Sequence, residues 1–183
     1  MAELHIALNE IAPEGMRLEI EDQSLWTDPL REFRLKFRIA RPLKAEVFLF
    51  PQVDGCLVRG SLSGELAVPC DRCAEDARVI IEQSFDEFEP FPSERSEADD
   101  GDFEIPESSA VFFREGSPIL DLGGLLWEEL SLSLPVKPLC RPGCRGVCVL
   151  CGKNLNDGPC GCSEGEGDPR LAVLKQIKVK TKG

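Results

Sequence analysis

EVFLFPQVDGCLVRGSLSGELAVPCDRCAEDARVIIEQSFDEF, residues 46–88, alternates apolar and polar side chains over most of its length. Successive side chains on a strand point to opposite faces, so a period of two predicts strands with one buried side. Glu46 to Phe50 reads as one strand ending at Pro51, and Asp54-Gly55 marks a turn before Cys56-Leu57-Val58-Arg59-Gly60. Leu62, Gly64, Leu66, Val68 and Cys70 keep the period. Past the interruption Cys70-Asp71-Arg72-Cys73, the stretch from Ala77 to Phe88 resumes it with Val79, Ile81 and Phe85. Upstream, Phe33-Arg34-Leu35-Lys36-Phe37-Arg38-Ile39 alternates at every step, after a polar segment containing Trp26. Together these runs predict an antiparallel meander of about four strands.

In that basic run Phe33, Leu35, Phe37 and Ile39 are expected to point inward. Arg34, Lys36 and Arg38 then stand side by side outside, flanked by Arg31, Arg41 and Lys44. Three like charges in a row repel unless an anion, for example one on another strand, compensates them. They can serve as a solvated strand face or as a phosphate-binding patch.

Helices are fewer. Asp121 can cap a helix carrying Leu122, Leu125, Leu126, Glu129 and Leu130 at helical spacing, with Pro135 and Pro138 beyond its end. Asp168-Pro169 is a cap followed by a first-turn proline, ahead of the stripe Leu171, Leu174, Ile177 and the bases Arg170, Lys175, Lys178, Lys180 and Lys182. The expected class is α+β: an antiparallel, barrel-like sheet with a few helices and a cysteine-rich knuckle segment. The expected organisation is a β-rich domain at 1–139, a metal-binding segment at 140–163, and a basic helix or tail at 164–183 packed on the main domain.

The chain of 183 residues carries a formal charge of −12, but eleven acids and one base lie between Glu82 and Glu107. That segment holds −10, leaving −2 for the remainder, so a nucleic-acid partner stays open. Residues 90–106, rich in proline, serine and acids, are expected to form a mobile loop. No run reaches the ~20 apolar residues of a membrane span, and the start lacks a basic region before an apolar run, so the expected location is the cytosol, with no membrane partner.

Reducing surroundings favour metal over disulfides for clustered cysteines, and nine cannot all pair. Cys148-Val149-Leu150-Cys151-Gly152-Lys153 has the form of a zinc knuckle, and Cys160-Gly161-Cys162 offers a second close pair. The turn-forming residues between them can bring the pairs onto one ion. Cys70 and Cys73 would then share a second ion with Cys140 and Cys144, pinning the sheet to the C-terminal segment. A competing assignment joins Cys70 and Cys73 to Cys148 and Cys151, leaving Cys140, Cys144, Cys160 and Cys162 together. Cys56, inside a strand pattern, is expected to be a buried small hydrophobe. Four thiolates close a coordination shell, His5 is the sole histidine, and no P-loop, nucleophile elbow or HExxH helix occurs. The expectation is two structural zinc ions, no catalytic residue, no small-molecule substrate and no enzyme.

Cys70-Asp71-Arg72-Cys73 is followed by Leu134-Pro135 before Cys140 and by C-x3-C-R-G-x-C-x2-C-G-x-N-L-N with a later C-x-C. Asp168-Pro169-Arg170-Leu171-Ala172-Val173-Leu174-Lys175 completes the set. In the order of these motifs the chain resembles the bacterial YceD family, the large-ribosomal-RNA-subunit accumulation proteins. The resemblance implies a metal-binding cytosolic factor required for 23S rRNA accumulation and acting in large-subunit biogenesis. Members commonly have proline where this chain has Val149, which leaves the ligands intact but makes the knuckle less preorganised.

Three functions follow for testing. The first is binding of 23S rRNA or a pre-50S particle, with Arg34, Lys36, Arg38, Arg141, Arg145 and Lys153 on phosphates and Lys137 beside them. The second is a scaffold for a ribosomal protein or processing enzyme. The third is a thiol oxidoreductase using Cys70 and Cys73, which would want a βαβ setting instead of a meander.

Overall fold

In the computed structural model, which describes residues 4–92 and 109–162, the alternating stretch supplies three strands of a four-stranded antiparallel sheet ordered β2-β3-β4-β5, and the remaining strand, β2, comes from residues 16–20, where no strand is expected. Its strands are β2 (Met16–Ile20), β3 (Arg38–Pro51), β4 (Gly55–Pro69) and β5 (Asp76–Pro90). Register follows the period-two pattern: Val47 faces Gly60, which faces Phe85, and Leu66 faces Val79. The inward residues Val47, Leu49, Val58, Leu62, Leu66, Val68, Val79, Ile81 and Phe85 are all buried. A smaller antiparallel sheet, ordered β1-β7-β6, is made of β1 (His5–Ala7), β6 (Val111–Arg114) and β7 (Ser117–Asp121). Two helices, α1 (Ser24–Glu32) and α2 (Leu122–Leu132), supply Leu25, Trp26, Leu122, Leu125, Leu126 and Leu130 to the same core.

The helix expected after Asp121 is present, and the Asp121 carboxylate accepts from the Gly124 amide at 2.9 Å. This side-chain cap replaces one of the helix's missing acceptors and compensates a first turn weakened by two glycines.

The basic run departs from expectation. Strand β3 begins only at Arg38, because α1 ends at Glu32 and Arg34 takes a left-handed conformation with φ 54°. Phe33 is therefore half exposed and stacks on Trp127 at 5.9 Å instead of facing the sheet core. Arg34, Lys36 and Arg38 do not share a strand face. Trp26, placed by its neighbours in a polar segment, is in α1 and fully buried.

Pro42 lies inside β3, where a proline cannot donate to the ladder. The register shifts between Ile39 and Arg41 and again between Arg41 and Lys44. Gln23, at the start of α1, fills the resulting gap: Leu43 N donates to its Oε1 at 3.0 Å, and its Nε2 donates to Leu43 O at 2.8 Å. One side chain thus takes up both backbone groups of a residue at the irregularity and fixes α1 to the sheet.

On α2, Glu129 is only 5% exposed, and Gln83 Nε2 donates to its Oε2 at 3.3 Å. Burial raises its carboxyl above the usual range; the Gln83 bond opposes this, and Glu87 and Glu128 add to the rise. Protonated Glu129 is favoured by the fold, so the penalty is absent in acid and grows as pH rises through the interval above the ordinary carboxyl value. Glu129→Gln is expected to raise the melting temperature at neutral pH by about 2–4 °C, the shift that about 1 kcal/mol gives in a chain of this size. The difference should vanish near pH 4, and thermal melts at both values check it.

Candidate metal centre

The interruption in the period-two pattern is the hairpin loop between β4 and β5, residues 70–75. Cys70 N donates to Glu75 O and Ala74 N to Cys70 O, both at 2.8 Å, with Ala74 at φ 60°. This tight loop presents Cys70 and Cys73 at the end of the large sheet. The segment after α2 crosses it: Asp71 N donates to Pro138 O at 2.9 Å, Val147 N to Arg72 O at 3.1 Å, and Arg72 Nη1 to Cys144 O at 2.8 Å.

That crossing brings four sulfurs together. Cys70 Sγ lies 3.8 Å from Cys144 Sγ, and Cys73 Sγ lies 3.6 Å from Cys140 Sγ. A second group comprises Cys148, Cys151, Cys160 and Cys162, and within each group all four sulfurs lie within 4.8 Å of one another. Four thiolates around one ion at bonds of ~2.3 Å stand roughly 3.8 Å apart at the corners of a tetrahedron. The spacing fits that shell and is far too long for disulfides, and all nine cysteines are free. The two tetrads could hold metal ions. They match the pairing favoured from spacing, whereas the competing assignment that joined Cys70 and Cys73 to Cys148 and Cys151 is not the one adopted. Cys56 joins neither; it is fully buried in the main core, and burial pushes its thiol up.

The inner tetrad is enclosed: Cys70 is 3% and Cys73 6% exposed, Cys144 is buried and Cys140 partly so. The outer one lies at the surface, with Cys151 and Cys162 exposed. Both receive backbone donors. Burial opposes ionisation of Cys70, but the amides of Cys140, Arg72 and Cys73 outweigh it and bring the thiol down to about 6. The Cys151 and Leu150 amides of the knuckle turn bring Cys148 down to about 6. The Glu75 amide favours ionised Cys73, yet burial and the thiols of Cys144, Cys70 and Cys140 push it up to about 12. Cys151 beside it pushes Cys162 up to about 12. Each group therefore pairs a thiol favoured as its anion, Cys70 or Cys148, with one favoured in its protonated form, Cys73 or Cys162, and a divalent cation would remove that conflict by taking up the charge of all four.

Knuckle geometry follows from local sequence. Gly152 takes φ 72°, its amide donates to Cys148 O at 2.8 Å, and Cys148 N donates to Lys153 O at 2.8 Å. Residues that the spacing argument passed over complete the surroundings: Arg72, Gly146 and Asn156, whose Nδ2 donates to Cys144 Sγ at 3.4 Å. Asn154-Leu155-Asn156 belongs to the turn-forming stretch between the outer cysteine pairs, but its reach to the inner tetrad depends on tertiary placement.

The cations are distributed unevenly. Arg38 forms an ion pair with Asp76 on β5, so one of the three charges of the basic run has the cross-strand compensation it needed. Arg34 and Lys36 are exposed in the connection ahead of β3. Arg141, Arg145 and Lys153 are exposed on the cysteine segment, and among the described residues none of these three nor Lys137 has an acidic partner within ion-pair distance.

A family description, Large ribosomal RNA subunit accumulation protein YceD, matches residues 58–178, a span that includes both tetrads. The chain belongs to the YceD family. Relatives include an uncharacterized protein of Mycobacterium tuberculosis, 29% identical over 124 residues, covering 68% of this chain and 56% of that protein. The Arabidopsis thaliana protein named Large ribosomal RNA subunit accumulation protein YCED homolog 1, chloroplastic, is 22% identical over 156 residues, 75% of this chain and 49% of that one. Its Zea mays namesake is 30% identical over 57 residues, 31% of this chain and 20% of that one. This YceD chain spans about half the length of the mycobacterial and Arabidopsis proteins it matches. No solved structure matches it.

The acidic segment expected at 90–106 falls outside the described residues apart from Pro90, which ends β5, Phe91 and Pro92. The helix expected after Asp168 lies wholly outside them. Among the described residues no helix is long and apolar enough to cross a membrane.

Proposed function

We propose that this YceD chain is a non-enzymatic, zinc-stapled factor of large-subunit biogenesis in the cytoplasm, and that it binds 23S rRNA or a pre-50S particle through its cysteine segment. The observation carrying the reading is the pair of four-sulfur groups with cations beside them. A shell of four thiolates leaves no open coordination position for substrate or water, so a bound zinc ion would supply structural closure and no reaction step. The inner group would tie the β4–β5 hairpin to residues 140–144. The outer group would hold Arg145 and Lys153 on a backbone fixed within a few residues, which reduces the entropy lost on meeting phosphates. The burial of Cys70 and Cys73 supports the same reading, because thiol exchange needs an accessible attacking sulfur.

Phosphate contacts predict strong salt dependence. The triple variant R141A/R145A/K153A is expected to bind large-subunit rRNA at least tenfold more weakly, with the salt slope reduced by about one per contact removed. Arg38→Ala should change little, since Asp76 already neutralises it. Filter binding across a salt series tests this; a salt-independent affinity, equal in all variants, would contradict it.

One observation favours a protein-interaction reading instead. Val149 is 95% exposed at the tip of the outer knuckle, with Leu150 and Val147 also exposed. A ribosomal protein or a processing enzyme docking on that tip would survive nuclease treatment in a pull-down and be lost in Val149→Glu.

A further inference from the structure

We propose that Asn156 couples the two tetrads, so that metal held by the outer group strengthens retention of metal by the inner one. The inference rests on the metal reading above and adds a positioning residue to it. Asn156 belongs to a short 3-10 turn, Leu155–Asp157, in the loop that joins the two ligand pairs of the outer tetrad. Its side chain leaves that loop. Nδ2 donates to Cys144 Sγ of the inner tetrad at 3.4 Å, and Oδ1 accepts from Arg145 N at 2.9 Å. The orientation is fixed from behind by Asn154, whose Oδ1 accepts both Asn156 N at 3.0 Å and Asn156 Nδ2 at 2.8 Å. Two more links hold the loop to the segment bearing Cys144: Leu155 N donates to Gly146 O at 2.8 Å, and Val147 bridges Asn154.

The outer ligands flank this loop on both sides. With Cys151 and Cys160 on one ion, the ends of residues 152–159 are fixed and Asn156 is presented to Cys144. Without that ion the loop is tied only by its few hydrogen bonds, and Gly152 and Gly158, both at positive φ, give its ends freedom to open. Cys144 then loses a donor to its sulfur, and a ligand sulfur with fewer N–H donors is less firmly oriented and is displaced from an ion more readily. Loss of such an outer-sphere partner costs 10- to 100-fold in metal affinity. Linkage makes the effect reciprocal, so an intact inner group also favours the outer. Exposure sets the order of events: the outer sulfurs meet solvent and exchange first, while the inner ones report the state of the outer.

Isotope exchange tests this on the full chain. Protein loaded with one zinc isotope is placed in excess zinc of a second, which keeps the outer tetrad filled while exchange of each ion is followed by mass spectrometry. The wild type should hold two ions, one exchanging slowly. Asn156→Ala should keep two ions and a wild-type circular dichroism spectrum, with the slow exchange about 10- to 100-fold faster. Cys151→Ser, which leaves Asn156 in place, should give the same acceleration of its remaining ion, and the double variant should be no faster than either single one. An unchanged slow phase in both single variants, or additive effects in the double, would overturn the coupling while two bound ions left the metal reading intact. Absence of bound zinc in the wild type would overturn both.

Discussion

Cys73→Ser is expected to abolish the folded state in metal-replete buffer, whereas Cys148→Ser should leave both sheets intact. A structural zinc site contributes about 10–16 kcal/mol of binding free energy that exists only when the chain is folded. A domain's whole stability is about 5–15 kcal/mol, so losing even half of that contribution leaves little. The two tetrads differ in what they close. The inner one links residues 74 and 67 positions apart, across most of the fold. The outer one links residues about ten apart within one segment. Loop-closure entropy alone makes the longer tie worth about 1.7 kcal/mol more, from the (3/2)RT ln n dependence. Packing widens the difference, because Cys70, Cys73 and Cys144 are part of the main hydrophobic cluster. Metal analysis beside thermal melting should find two ions in the wild type, one in a folded Cys148→Ser, and a broad non-cooperative melt in Cys73→Ser. A Cys73→Ser protein melting with the wild type would mean that the inner sulfurs hold nothing.

That contrast is partly legible in the amino-acid sequence. Period-two alternation from Glu46 to Phe88 located β4 and β5 and the hydrophobic side of the sheet, because a half-buried strand leaves its period in the chain. Cysteine spacing favoured this grouping, since two close pairs joined by a turn-rich loop can converge locally, but it left open the joining of Cys70 and Cys73 to Cys148 and Cys151. The start of β3 was not legible. Alternation from Phe33 to Phe37 imitates a strand, but the chain there is leaving α1, and the left-handed Arg34 and the stacking of Phe33 on Trp127 override the local pattern. Continuation of β3 through Pro42 depends on Gln23, twenty residues away, taking up the backbone groups of Leu43. The strands β1, β6 and β7, of three to five residues, are too short to display a period. Asn156 could not be singled out either, because its partner Cys144 belongs to the other tetrad.

Gly146→Val should empty the inner tetrad without altering any ligand. Gly146 has φ 74°, and a Cβ there would sit 3.0 Å from Arg72 O and 3.5 Å from Arg72 Cβ. The crossing between the hairpin loop and the 140–147 segment is this tight because Val147 N donates to that same Arg72 oxygen. Valine adds two burdens. A β-branched residue in the left-handed region costs about 1–3 kcal/mol. Pushing Arg72 away breaks the Val147 bond and strands a polar group, about 1–3 kcal/mol more. The displacement acts where it does most harm, since Arg72 lies between Cys70 and Cys73 and Gly146 lies two residues after Cys144. Alanine should be intermediate, and Gly143→Ala, where an added Cβ meets nothing within 4 Å, should match the wild type. The expected order of stability at position 146 is glycine, alanine, valine: alanine melts below the wild type, and valine, with its inner tetrad empty, loses one bound ion and the cooperative melt as Cys73→Ser does, with the outer ion retained. A Gly146→Val protein with two ions and an unshifted melt would mean that the crossing does not position the inner sulfurs.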